Sequence, residues 1–174
     1  MFFFTVVDAA APYLAGRIDT ASWATASRIE FARNAVQAME EFHSVRPGGE
    51  ALVHRNLTPS TILVRHDNSP ILTGFDRTRI PSDLSVASGM SIGDGDGSTT
   101  APEVIKSGLA AADCRSDVYS LCTSLTVLFQ DDDDLCRRTR DILAKGTAAT
   151  PSDRAALSDL NRQLAELLGI SQPR

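Results

Sequence analysis

The chain is poor in lysine: Lys106 and Lys145 are its only two, and no Gly-x-Gly-x-x-Gly run precedes residue 52. Seventeen basic side chains stand against 22 acidic ones, for a net charge of −5, and no polybasic patch occurs. That balance excludes the electrostatic footprint of a nucleic-acid binder. Long hydrophobic runs are also lacking. The apolar start, residues 1–8, has no cationic leader and falls well short of the roughly 20 residues of a membrane helix, so neither a signal peptide nor a membrane partner is expected. Cysteine is scarce too: Cys114, Cys122 and Cys136 form neither Cys-x-x-Cys nor a zinc spacing. Reduced structural thiols are expected, which fits a cytoplasmic setting.

What is present is ample apolar material, 43% of 174 residues, enough for one core. Residues 1–8 are rich in β-branched and aromatic side chains and predict a buried strand. Residues 20–44 predict a long helix with Thr20 as its N-cap. Trp23, Phe31, Ala35, Ala38 and Phe42 form one apolar stripe, and Ile29, Ala32, Val36 and Met39 a second beside it. Pro47, Gly48 and Gly49 break the chain before a short Leu52-Val53 strand. Two further strands, 61–64 and 70–73, flank a turn at Asp67 and Asn68. Residues 77–100 read as loop, and the run at 93–98 lacks the glutamate that would close a calcium-binding EF-hand loop. Helices are expected from Ser116, from Leu135 to near Gly146, and over 157–168 with Gly169 as the stop. The acidic run 131–134 reads as a solvated first helical turn, favoured by the helix dipole, rather than a metal site. The fold class is α+β, predominantly α-helical, with a small β-hairpin.

Four short motifs, in order, carry a resemblance. Leu-Val-His-Arg-Asn-Leu-Thr-Pro-Ser-Thr-Ile-Leu-Val (52–64) resembles the catalytic loop of eukaryotic-like, bacterial-type Ser/Thr protein kinases, whose usual form is His-Arg-Asp-Leu-x-x-x-x-Asn. Thr-Gly-Phe-Asp (73–76) occupies the place of Asp-Phe-Gly, Ala101-Pro102-Glu103 matches Ala-Pro-Glu, and Ser116-Asp117-Val118-Tyr119-Ser120 resembles the start of the large lobe's central helix. The resemblance implies a kinase-like C-terminal lobe as a single domain over 1–174. In that frame residues 1–13 are the last small-lobe strand and the hinge, residues 14–170 the large lobe, and the small lobe is essentially absent. His54, Arg55, Phe75, Glu103, Asp117 and Arg154 fall on architectural positions of the family. Asp117 is expected to hold the loop through backbone N–H groups, and Glu103 to pair with Arg154.

The chemistry-bearing positions depart from the family. Asn56 stands in place of the catalytic Asp, Thr58 in place of a Lys, Thr61 in place of a metal-binding Asn, and Gly74 in place of a metal-binding Asp. An amide cannot take a hydroxyl proton as a carboxylate does, and such a base contributes roughly 10²–10⁴ in rate. The resemblance therefore implies a degenerate member, a pseudokinase acting as a regulatory or protein-binding module with no cofactor. A protein partner or second copy would dock over the surface a small lobe normally covers, near Phe3 and Leu63. Under the alternative, the chain is part of an active kinase that binds ATP and Mg²⁺. Leu63 would then lie under the adenine, and Asp76, beside Gly74, would supply the missing metal ligand.

Overall fold

The structure is a computed structural model that describes residues 11–12, 23–65, 67–79 and 97–170. The expected strand at residues 1–8, with Phe3, lies outside these residues, as do Thr20 and most of the 93–98 run. The fold is α+β and mostly helical. In chain order it comprises β1 (Ala11–Pro12), α1 (Thr25–Ser44), β2 (Ile62–Val64), β3 (Pro70–Leu72), α2 (Pro102–Ser107), α3 (Cys114–Thr126), α4 (Asp134–Ala144) and α5 (Leu157–Leu167).

The long helix α1 is the core's scaffold. Ile29, Phe31, Ala32, Ala35, Val36 and Met39 recur at helical spacing and are buried, each large side chain contributing about 1.5–3 kcal/mol through removal from water. Its most extensive packing is against α5, whose Leu157, Leu160 and Leu164 are buried in the same core. Helices α3 and α4 complete the same core. The predicted start is corrected: α1 begins at Thr25, Ala24 holds the cap position without a side-chain bond, and Trp23 precedes the helix. There the indole packs edge-on against Phe31, with centroids 5.9 Å apart. Its apolar spacing imitates one more helical turn although its backbone is not helical.

Sequence reading also missed a buried arginine in α1. Arg28 donates to Leu128 O at 3.0 Å and pairs with Asp131 at 2.7 Å, tying α1 to the end of α3. The acidic run is thereby engaged, because Asp133 caps α4 by accepting the Cys136 N–H at 2.8 Å. Asp131, Asp133 and Cys136 bring candidate ligand atoms within 4.8 Å of one another, but both carboxylates already serve these contacts. Gly146 lets the end of α4 approach α3, since a Cβ there would meet Cys122 Sγ at 2.4 Å. Burial pushes the Cys122 thiol up to about 12, and all three cysteines are free. No described helix is long and apolar enough to cross a membrane.

The sheet is antiparallel in the order β1-β2-β3, with Leu63 opposite Ile71 on one side and Pro12 on the other. The β2–β3 turn follows from its side chains: Asp67 accepts from the Ser69 N–H at 3.0 Å, and Asn68 adopts the left-handed region. The expected Leu52-Val53 strand is reduced to a single bridge, Val53 with Arg79. Thr61 belongs to a 3₁₀ turn, Pro59–Thr61, rather than to β2. Proline at its first position and the Thr58–Thr61 capping box favour the turn over extended chain.

Candidate functional site

One carboxylate organises the loop between α1 and β2. Asp117 lies in the first turn of α3 and is 1% exposed. It accepts the His54 N–H at 2.7 Å and the Arg55 N–H at 2.9 Å. Two successive amides aimed at one group require a sharp bend, and Arg55 accordingly takes φ 65°, a conformation rare outside glycine. Asp117 also meets His43 Nε2, from the last turn of α1, at 2.9 Å. Burial pulls the His43 imidazole down, but its hydrogen bonds to Asp117 and Cys114 prevail and raise it to about 9. His43 is thus an imidazolium at neutral pH. The sequence places it only as the end of a helix, and its role appears when the fold brings α1 against α3.

His54 is fully buried, and burial lowers its pKa. Its Nδ1 accepts the Asn56 N–H at 3.3 Å. The ring lies 4.8 Å from Phe75 and 5.8 Å from Phe42, and Phe42 and Phe75 are 5.6 Å apart, centroid to centroid. This aromatic trio pins the 3₁₀ turn Phe75–Arg77 against the loop.

Above it the four departing positions meet. Asn56 Nδ2 donates to Gly74 O at 3.1 Å and to Asp76 Oδ1 at 3.2 Å. Both partners are acceptors, which fixes the amide's orientation: its NH₂ faces them. Thr61 Oγ1 donates toward Asn56 O and Thr58 O, at 2.9 and 3.1 Å, and accepts the Thr58 N–H at 2.9 Å. The Thr58 hydroxyl is within 2.9 Å of Ser60 Oγ. Gly74 adopts φ 80°, and a Cβ there would lie 2.8 Å from Thr61 Cγ2 and 3.0 Å from Asn56 Nδ2.

No protein-family model matches the chain, and no curated protein matches it.

A divalent cation such as Mg²⁺ demands several oxygens converging on one point. The residues present do not fit one. Asn56 turns its NH₂ toward Gly74 O and Asp76, the Thr61 hydroxyl is engaged by the backbone, and Gly74 has neither a side chain nor room for one. Asp76 has the cluster's one carboxylate; 67% exposed, it faces Asn56 Nδ2 and lies 3.9 Å from Arg77 Nε. Leu63, at the middle of β2, is half-buried and separate from these contacts.

Glu103 and Arg154 form a second constellation. Arg154 donates to both Glu103 oxygens, at 2.8 and 2.7 Å, and to Arg115 O and Ala148 O, while Tyr119 lies 5.0 Å below the guanidinium. The Ser116 hydroxyl adds a 2.6 Å bond to Glu103. The hydrogen bonds from Arg154, then Ser116, outweigh burial and hold the Glu103 carboxyl at about 2. A cleft of about 370 Å³ lies between the two constellations, lined by Asn56, Thr58, Thr61, Thr99, Val104 and Ser116 among others.

Proposed function

We propose that the chain is a degenerate protein kinase-like large lobe that does not transfer phosphoryl groups and serves as a regulatory or protein-binding module. The observation that carries this reading is the state of Asn56. The loop around it has what a catalytic loop requires of its frame: a buried carboxylate holding two amides, an aromatic support, and an arginine–glutamate pair beyond the cleft. At the position where a base would take the hydroxyl proton, however, the side chain presents NH₂ donors and is held by Gly74 O and Asp76. A donor so held neither abstracts a proton nor neutralises phosphate charge, and phosphoryl transfer depends on both functions.

Leu63 is half-buried at the middle of β2; on the kinase resemblance it corresponds to a position that a small lobe covers, and a protein partner or second copy docks there under this reading. The test is a transfer assay with ATP labelled at the γ-phosphate, Mg²⁺ or Mn²⁺, and generic protein acceptors. The wild-type chain gives incorporation no higher than a protein-free blank, into itself or into the acceptors. Incorporation that rises with chain concentration and is lost on Asp76→Asn would instead establish the alternative, an active kinase in which Asp76 holds the metal.

A further inference from the structure

We propose that the Asn56 amide does the bridging that a divalent cation would otherwise do here, cross-linking the 54–61 loop to residues 74–76 without metal. This deepens the reading above, which supplies the cation being replaced, but its test reads stability and cation binding, so it can fail independently of the transfer assay. Gly74 O and Asp76 Oδ1 are both acceptors, and two acceptors facing one point need a positive group between them. Asn56 Nδ2 supplies it with two N–H bonds of 3.1 and 3.2 Å. The backbone of the same residue is held by Thr61 Oγ1 through Asn56 O at 2.9 Å, so the amide is presented from an anchored turn. Thr61 Cγ2, 2.8 Å from where a Gly74 Cβ would stand, denies position 74 a carboxylate of its own.

The substitution Asn56→Asp reverses the sign of the bridge. The introduced carboxylate faces Gly74 O and the Asp76 carboxylate, acceptor against acceptor, and the three oxygens now form a hard donor set suited to a small divalent cation. Thermal melts in EDTA and in rising MnCl₂, with Mn²⁺ binding read by electron paramagnetic resonance, test the idea. The wild-type midpoint is the same in EDTA and in millimolar Mn²⁺. Asn56→Asp melts about 5 °C lower in EDTA, from the lost bonds and repulsion, recovers with saturable Mn²⁺ binding, and loses that recovery when combined with Asp76→Ala. Asn56→Ala melts lower and does not recover. If Asn56→Asp folds only when Mn²⁺ is present, the proposal also stands. A saturable Mn²⁺ gain in the wild type overturns it, as does an Asn56→Asp variant that matches the wild type, ignores Mn²⁺, or fails to fold in either condition.

Discussion

At Gly74 a single absent methyl group determines what the site can be. The residue combines a left-handed backbone with a neighbour that would touch its Cβ at 2.8 Å. Gly74→Ala is therefore expected to cost about 2–4 kcal/mol, from the left-handed conformation and the overpacking together. Thr61→Ser keeps the hydroxyl that holds the turn and removes the methyl. Chemical denaturation of the four proteins of this double-mutant cycle should show Gly74→Ala costing less in the Thr61→Ser background; strictly additive costs would mean that the two side chains do not compete for the same space. The sequence indicates which residues depart from a kinase pattern, but not that they touch. Positions 56 and 61 share one loop, but Gly74 lies 13 residues further on, beyond β2 and β3, and only the fold brings it against them.

Between elements, two ion pairs tie the fold together: Glu103–Arg154 joins α2 to the segment before α5, and His43–Asp117 joins α1 to α3. Arg154 is fully buried and Glu103 is 21% exposed at the side chain, so Glu103→Ala or Arg154→Ala is expected to cost about 3–5 kcal/mol, chiefly by stranding the other charge. The Glu103 carboxyl is depressed to about 2, so its contribution is complete above the ordinary glutamate range and is lost as pH falls toward 2. His43 is raised to about 9, and its contribution is complete below about 6.5, the ordinary histidine value, and lost as pH rises through 9. Stability measured against pH should decline on both sides. Glu103→Gln should flatten the acid limb and His43→Asn the alkaline one, whereas unchanged limbs would mean that neither pair is coupled to folding. The elements themselves were largely legible. The spacing of Ile29, Val36 and Met39 marked α1, and the leucines of 157–168 marked α5. The helix start at Thr25 and the 3₁₀ turn at Pro59 were not, because Trp23 and Thr61 have the apolar or β-branched character of the neighbouring element and differ from it only in backbone. The partners of His43 and Arg28 were not legible for another reason: Asp117 and Asp131 lie 74 and 103 positions away.

In the molecule as a whole, an ordered frame surrounds a site in which Asn56 Nδ2 and Thr61 Oγ1 are engaged by neighbouring acceptors. Asp117, the aromatic trio and the Glu103–Arg154 pair hold the geometry, while Asn56, Thr61 and Gly74 pack against one another at its centre; on the proposed reading they leave no place for metal or phosphate. The central claim is that the frame binds no Mg²⁺–nucleotide, and the most direct measurement is thermal or chemical unfolding of the wild-type chain with and without ATP and Mg²⁺. A ligand of the folded state present at 1,000 times its Kd would add about 4 kcal/mol. The account predicts no change in the midpoint up to millimolar ATP with Mg²⁺; a saturable, Mg²⁺-dependent rise would contradict it.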